Sequence, residues 1–126
     1  MKRFMNIYKH NNNAGFSFDQ LISKIFRKAE MLSEEMIEAI QVRNIEERYL
    51  KSEELMRIMV EVHDTFQSDN PIGIQSSMQR YCLQNMNLLT RINLKNDKEL
   101  AIALREACGE IARVWDASKS SSVESQ

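Results

Sequence analysis

Between Ser17 and Ile40 apolar residues recur every three or four positions: Phe18, Leu21, Ile22, Ile25, Phe26, Ala29, Leu32, Met36, Ile37 and Ile40. Lys24, Arg27, Lys28, Glu30, Glu34, Glu35 and Glu38 fill most of the remaining positions. That period is the mark of an amphipathic helix with one oily side. Its start is encoded by Ser17 and Gln20, which can cap each other's backbone amides in a capping box. A helix with so much apolar surface needs other helices, or a partner, against its stripe.

The remainder of the chain supplies such helices. Asn44 with Glu47 reads as a second capping box, opening a helix to about Phe66. Its apolar residues, Ile45, Tyr49, Leu55, Met56, Ile58, Met59, Val60, Val62 and Phe66, cover more than one stripe, which predicts a central position. Its charged residues Glu46, Glu47, Arg48, Lys51, Glu53 and Glu54 read as solvated surface. Pro71 suits a first helical turn, with Asn70 as its cap. A third helix then carries Ile74, Met78, Tyr81, Cys82, Leu88, Leu89 and Ile92. It is rich in amides (Gln79, Gln84, Asn85, Asn87, Asn93), groups able to bind the backbone of an extended peptide as well as water. Asn96 with Glu99 predicts a third capping box before a helix from about Asp97 to Ala117. The core stripe of that helix reads Leu100, Ala101, Leu104, Ala107, Cys108, Ile111, Ala112 and Trp115, and Gly109 within it implies a close approach. The expectation is an all-α protein: an antiparallel four-helix bundle over residues 17–117. An N-terminal arm, 1–16, holds Phe4, Met5, Ile7, Tyr8 and Phe16 and is expected to fold back on the bundle. Residues 118–126 are expected to form a flexible tail.

Three glycines and one proline in 126 residues are too few for a sheet protein with many tight turns. A net charge of −1 with interspersed signs gives no footprint for nucleic acid. No apolar run reaches the roughly 18 residues of a membrane span, and the N-terminus lacks a signal peptide's apolar segment, so a cytoplasmic protein without membrane insertion is expected. Cys82 and Cys108 fall at apolar helical positions, as small core residues do. Glu-x-x-His, the motif of carboxylate-bridged di-iron bundles, is absent, because Val60 stands three residues before His63. No phosphate loop or nucleophile elbow is present, so neither an enzyme nor a cofactor or metal is expected.

A set of positions taken in order resembles the flagellin-specific secretion chaperones of the FliS type. It runs through Tyr8-Lys9, Asn11, Ser17, Leu21, Ile25-Phe26, Ala29, Ala39-Ile40 and Arg43-Asn44, then Asn93-Leu94-Lys95-Asn96-Asp97 and Trp115. The likeness covers roughly Tyr8 to Trp115. Phe18 stands where that family usually has proline and Arg27 where it has aspartate. Asp69-Asn70-Pro71-Ile72-Gly73 replaces its acidic, glycine-containing turn.

The resemblance implies a cytoplasmic export chaperone. It would bind the C-terminal segment of flagellin, prevent premature polymerisation, and help deliver the subunit to the flagellar type III export gate, as a monomer or weak homodimer when free. It points to Tyr8, with Met5 three residues earlier, as arm residues near the client groove. Leu21, Ile25, Phe26, Leu88, Leu89, Ile92 and Asn93 are the groove candidates, although periodicity does not separate a groove wall from an interior. The residues alone also leave open a helical adaptor for another secreted client, or a self-associating structural bundle.

Overall fold

The protein is described by a computed structural model over residues 17–67 and 73–124, with side chains described as far as Ala117. The described residues form four helices: α1 (Phe18–Gln41), α2 (Ile45–Thr65), α3 (Ile74–Lys95) and α4 (Lys98–Glu124). Among the described residues there is no strand. Each helix packs on its two neighbours in the ring α1–α2–α3–α4, and α1 packs most extensively on α4. Cross-helix pairs run in opposite directions: Ser23 with Asp116 and Glu34 with Arg105 join α1 to α4, and Arg48 with Asn93 joins α2 to α3. The bundle is therefore up-down-up-down, as short connections demand.

The helix ends follow from local chemistry. The Ser17–Gln20 capping box forms in both directions, at 3.1 and 2.9 Å. At the α1–α2 turn, the Arg43 amide donates to Ile40 and the Asn44 amide to Ala39, the two bonds of a Schellman motif. Asn44 then caps α2 by accepting from the Glu47 amide, but Glu47 turns its carboxylate to Lys51, so only half of the second box forms. The third predicted box does not form. Asn96 closes α3 in a left-handed conformation (φ 54°), and the Asp97 carboxylate accepts from the Leu100 amide at the start of α4. Asparagine tolerates that conformation better than most residues, which decides its role. Asn70 and Pro71 lie outside the described residues. α4 itself continues to Glu124, past the expected end at Ala117.

The core runs the length of the bundle, with Phe26, Met36, Leu55, Met59, Leu89 and Leu104 fully buried. Each such side chain contributes roughly 1.5–3 kcal/mol. Phe26 reaches across the diagonal to meet Tyr81 edge-on at 5.6 Å. Cys82 and Cys108 are free and buried, and burial pushes both thiols up to about 12, so they remain neutral. The second helix touches a neighbour on each side, α1 and α3, as its several stripes predict, but it leaves Ile45, Tyr49, Leu50 and Val60 exposed, whereas α1 buries side chains along its whole length.

Candidate functional site: an apolar track and two clefts

Helix α4 carries two apolar stripes side by side. Ala101, Leu104, Cys108, Ala112 and Trp115 are buried. The neighbouring stripe, Leu100, Ala103, Ala107, Ile111 and Val114, has the same three- and four-residue spacing but is only half-covered, with Val114 51% exposed. The core stripe expected from the sequence merged these two. Leu88 of α3 is also half-covered and lies toward the α4 side of its helix, so it extends the strip across the α3–α4 seam.

At Val114 the strip opens into a cleft of about 570 Å³ at one end of the bundle. All four helices contribute: Phe18 from α1, Thr65 and the adjoining Phe66 from the end of α2, Ile74 and Gln75 from α3, and Val114 and Trp115 from α4. Phe18 meets Phe66 and Trp115 edge-on, and Phe66 and Trp115 are tilted against each other, with centroids 5.8–6.2 Å apart. The buried Trp115 indole N–H has no acceptor among the described residues.

A second cleft, about 410 Å³, lies between α2 and α3 and is lined by Tyr49, Ser52, Glu53, Met56, Arg57 and Asn93. Tyr49 donates to Glu53 at 2.9 Å, and this bond raises the phenol above its ordinary value. Arg48 corrects a reading from the sequence: it is not solvated surface but 7% exposed, bonded to the Asn93 side-chain oxygen. Its position was readable, since Arg48, Ser52, Leu55, Met59 and Val62 form one stripe with spacing 4, 3, 4, 3.

The groove residues expected from the sequence do not come together as one groove. Leu21, Phe26, Leu89 and Ile92 are buried in the bundle, where they support its surfaces from below. Ile25, Leu88 and Asn93 are partly exposed but lie on three different seams. Ile25 shares a side with Lys28, whose ammonium pairs with Glu54 of α2 at 3.6 Å. Asn93 faces α2, and Leu88 lies roughly 140° from it around α3 at 3.6 residues per turn. Asn85, one of the amides, is buried with its amide toward the Met59 sulfur at 3.7 Å. Met5 and Tyr8 lie outside the described residues.

No helix among the described residues is long and apolar enough to cross a membrane. Nor do those residues hold a group of three or more His, Cys, Asp or Glu that could bind a metal ion. Compared with known protein families and curated proteins, the chain matches no family model and no curated relative.

Proposed function

We propose that this protein is a cytoplasmic chaperone for flagellin, holding the C-terminal segment of the subunit until delivery to the flagellar export gate. One observation carries the reading: the half-covered apolar track that runs from Leu100 to Val114 along α4 and on into the Phe18–Phe66–Trp115 cleft. The α4 part alone is about 20 Å long at 1.5 Å per residue. A guest segment forming an amphipathic helix of comparable length would lay its apolar face on this track, and an extended continuation would enter the cleft. Contiguous apolar surface of this kind marks an interaction site. Ordering the guest opposes its binding, which keeps the complex releasable at the gate. The order of residues from Tyr8 to Trp115 that resembles the flagellin chaperones supports this client over another secreted protein.

Isothermal titration of the full chain with the C-terminal segment of the flagellin from the same genome tests the reading. The expected result is a one-to-one complex, with no binding of the flagellin N-terminal segment. Light scattering addresses the self-association reading: a tight homodimer that the flagellin segment fails to bind or dissociate would overturn the chaperone assignment.

A further inference from the structure

We propose that the cleft between α2 and α3 binds a carboxylate group presented by a bound polypeptide, with Arg48 as the charge behind the site. A guanidinium cannot shed its proton inside a protein, so Arg48 carries a full positive charge in a position that is almost entirely buried. Such a charge is costly unless an anion compensates it. Among the described residues no carboxylate forms an ion pair with Arg48; its one hydrogen-bond partner is the Asn93 amide oxygen, and its Nε–H has none. One turn along α2, the Ser52 hydroxyl is also buried without a partner.

The cleft in front of these groups offers the donors of Asn93, Ser52 and Arg57 beside a single carboxylate, Glu53. Because Asn93 commits its oxygen to Arg48, its two amide N–H bonds are what it offers to a ligand. Ser52 adds a hydroxyl and Arg57 a second guanidinium. The acidic group of the cleft, Glu53, already accepts from Tyr49, and nearby Glu47 is paired with Lys51 at 3.4 Å. Met56 and the Tyr49 ring form apolar walls. Donors at the floor and apolar walls above match a planar two-oxygen acceptor on a short carbon stem, such as an Asp or Glu side chain or a chain's terminal carboxylate. Docked on Asn93 and Ser52, the carboxylate would lie over the Arg48 charge.

The source of the carboxylate rests on the guest-binding reading above, but the site does not, and the two are tested apart. The first measurement is the melting temperature of the full chain in sodium glutarate, in sodium phosphate and in sodium chloride, at equal ionic strength. Glutarate is expected to raise the melting temperature saturably over chloride, and Arg48→Met to abolish that rise while being at least as stable as the wild type in chloride. No rise specific to glutarate, an equal rise in Arg48→Met, or a larger rise with phosphate overturns the proposal. Should Arg48→Met fail to fold, Ser52→Ala and Arg57→Gln are expected to weaken the glutarate response, and an unchanged response in both overturns it.

The second measurement uses the flagellin C-terminal segment with its acidic side chains changed to amides and its end amidated. Neutralisation is expected to weaken binding to the wild type about tenfold and to have no effect on binding to Arg48→Met. A glutarate response without any binding of the segment leaves the site standing and overturns the flagellin reading. Binding that ignores both neutralisation and Arg48→Met does the reverse.

Discussion

Ser23 of α1 donates a 2.6 Å hydrogen bond to Asp116 of α4, tying the first helix to the last. Ser23 is buried, and its hydroxyl also lies 3.3 Å from the Ala112 carbonyl. Arg27 completes the arrangement at 2.9 Å from the other Asp116 oxygen. The Ser23 bond, and then the Arg27 pair, hold the Asp116 carboxyl below its ordinary value of 3.8. A carboxyl depressed by folding stabilises the folded state above its unfolded value, and that contribution is lost as pH falls through the folded value. The melting temperature of the wild type is therefore expected to fall more steeply below about pH 4 than that of Asp116→Asn. At neutral pH the variant is expected to melt lower, and the two curves to converge in acid. Parallel curves across the acid range would show that Asp116 contributes nothing through its charge.

The α1–α2 turn places Arg43 at φ 60°, in the left-handed region. That conformation costs a residue with a side chain roughly 1–2 kcal/mol, whereas glycine adopts it without the clash but loses more freedom on folding. Arg43→Gly is therefore expected to stabilise the fold by about 0.5–1 kcal/mol. Asn96, at φ 54°, provides the comparison. Asparagine already suits this conformation, so Asn96→Gly is expected to change stability by less than about 0.5 kcal/mol. Urea unfolding with unchanged m-values measures both, and a loss of stability in Arg43→Gly would contradict the account of the turn.

Gly109 lies in the buried part of α4, and a Cβ added there would meet the Glu30 carboxylate of α1, with its Cδ at 2.9 Å. The obstacle is the end of a flexible side chain rather than the α1 backbone. Glu30 is also held only loosely, 3.8 Å from Arg27. Gly109→Ala is expected to gain up to about 1 kcal/mol of helix propensity, since moving Glu30 aside costs little. Gly109→Leu has no such escape and is expected to lower the melting temperature. A loss of more than about 1 kcal/mol in Gly109→Ala would mean that α1 cannot give way.

The fold was legible because periodicity and caps are local. The Ser17–Gln20 box, the Asn44 cap and the stripes of Phe26, Met59 and Leu104 could be read without knowing what each helix faces. The surface was less legible, because exposure depends on which stripe meets which neighbour. Leu100, Ala107 and Ile111 carry the same period as Leu104 and Cys108, and only the seating of α4 against α1 leaves the first three half-covered. Arg48 shows the opposite error. Its charge suggested solvent, yet its place four residues before Ser52 and seven before Leu55 assigns it to the buried side. At Asn96 the sequence permits either a helix start or a helix end, and the left-handed backbone selects the end. For Met5 and Tyr8 the expected role comes from the family resemblance alone.

Whether the α4 track binds a guest or merely tolerates exposure can be decided by three substitutions with different signatures. Phe26 is fully buried against Tyr81, so Phe26→Ala is expected to destabilise the fold by about 3–5 kcal/mol, with any loss of binding following from unfolding. Val114 is half-exposed where the track enters the cleft, so Val114→Ser is expected to change stability by less than about 0.5 kcal/mol. It is nonetheless expected to weaken the flagellin segment about tenfold, as loss of an apolar anchor does. Leu83 is equally exposed (54%) but lies on the side of α3 turned away from both neighbours, so Leu83→Ser should leave stability and affinity unchanged. Equal effects of Val114→Ser and Leu83→Ser on affinity would remove the track as the guest's seat, because the two residues differ in location and not in exposure.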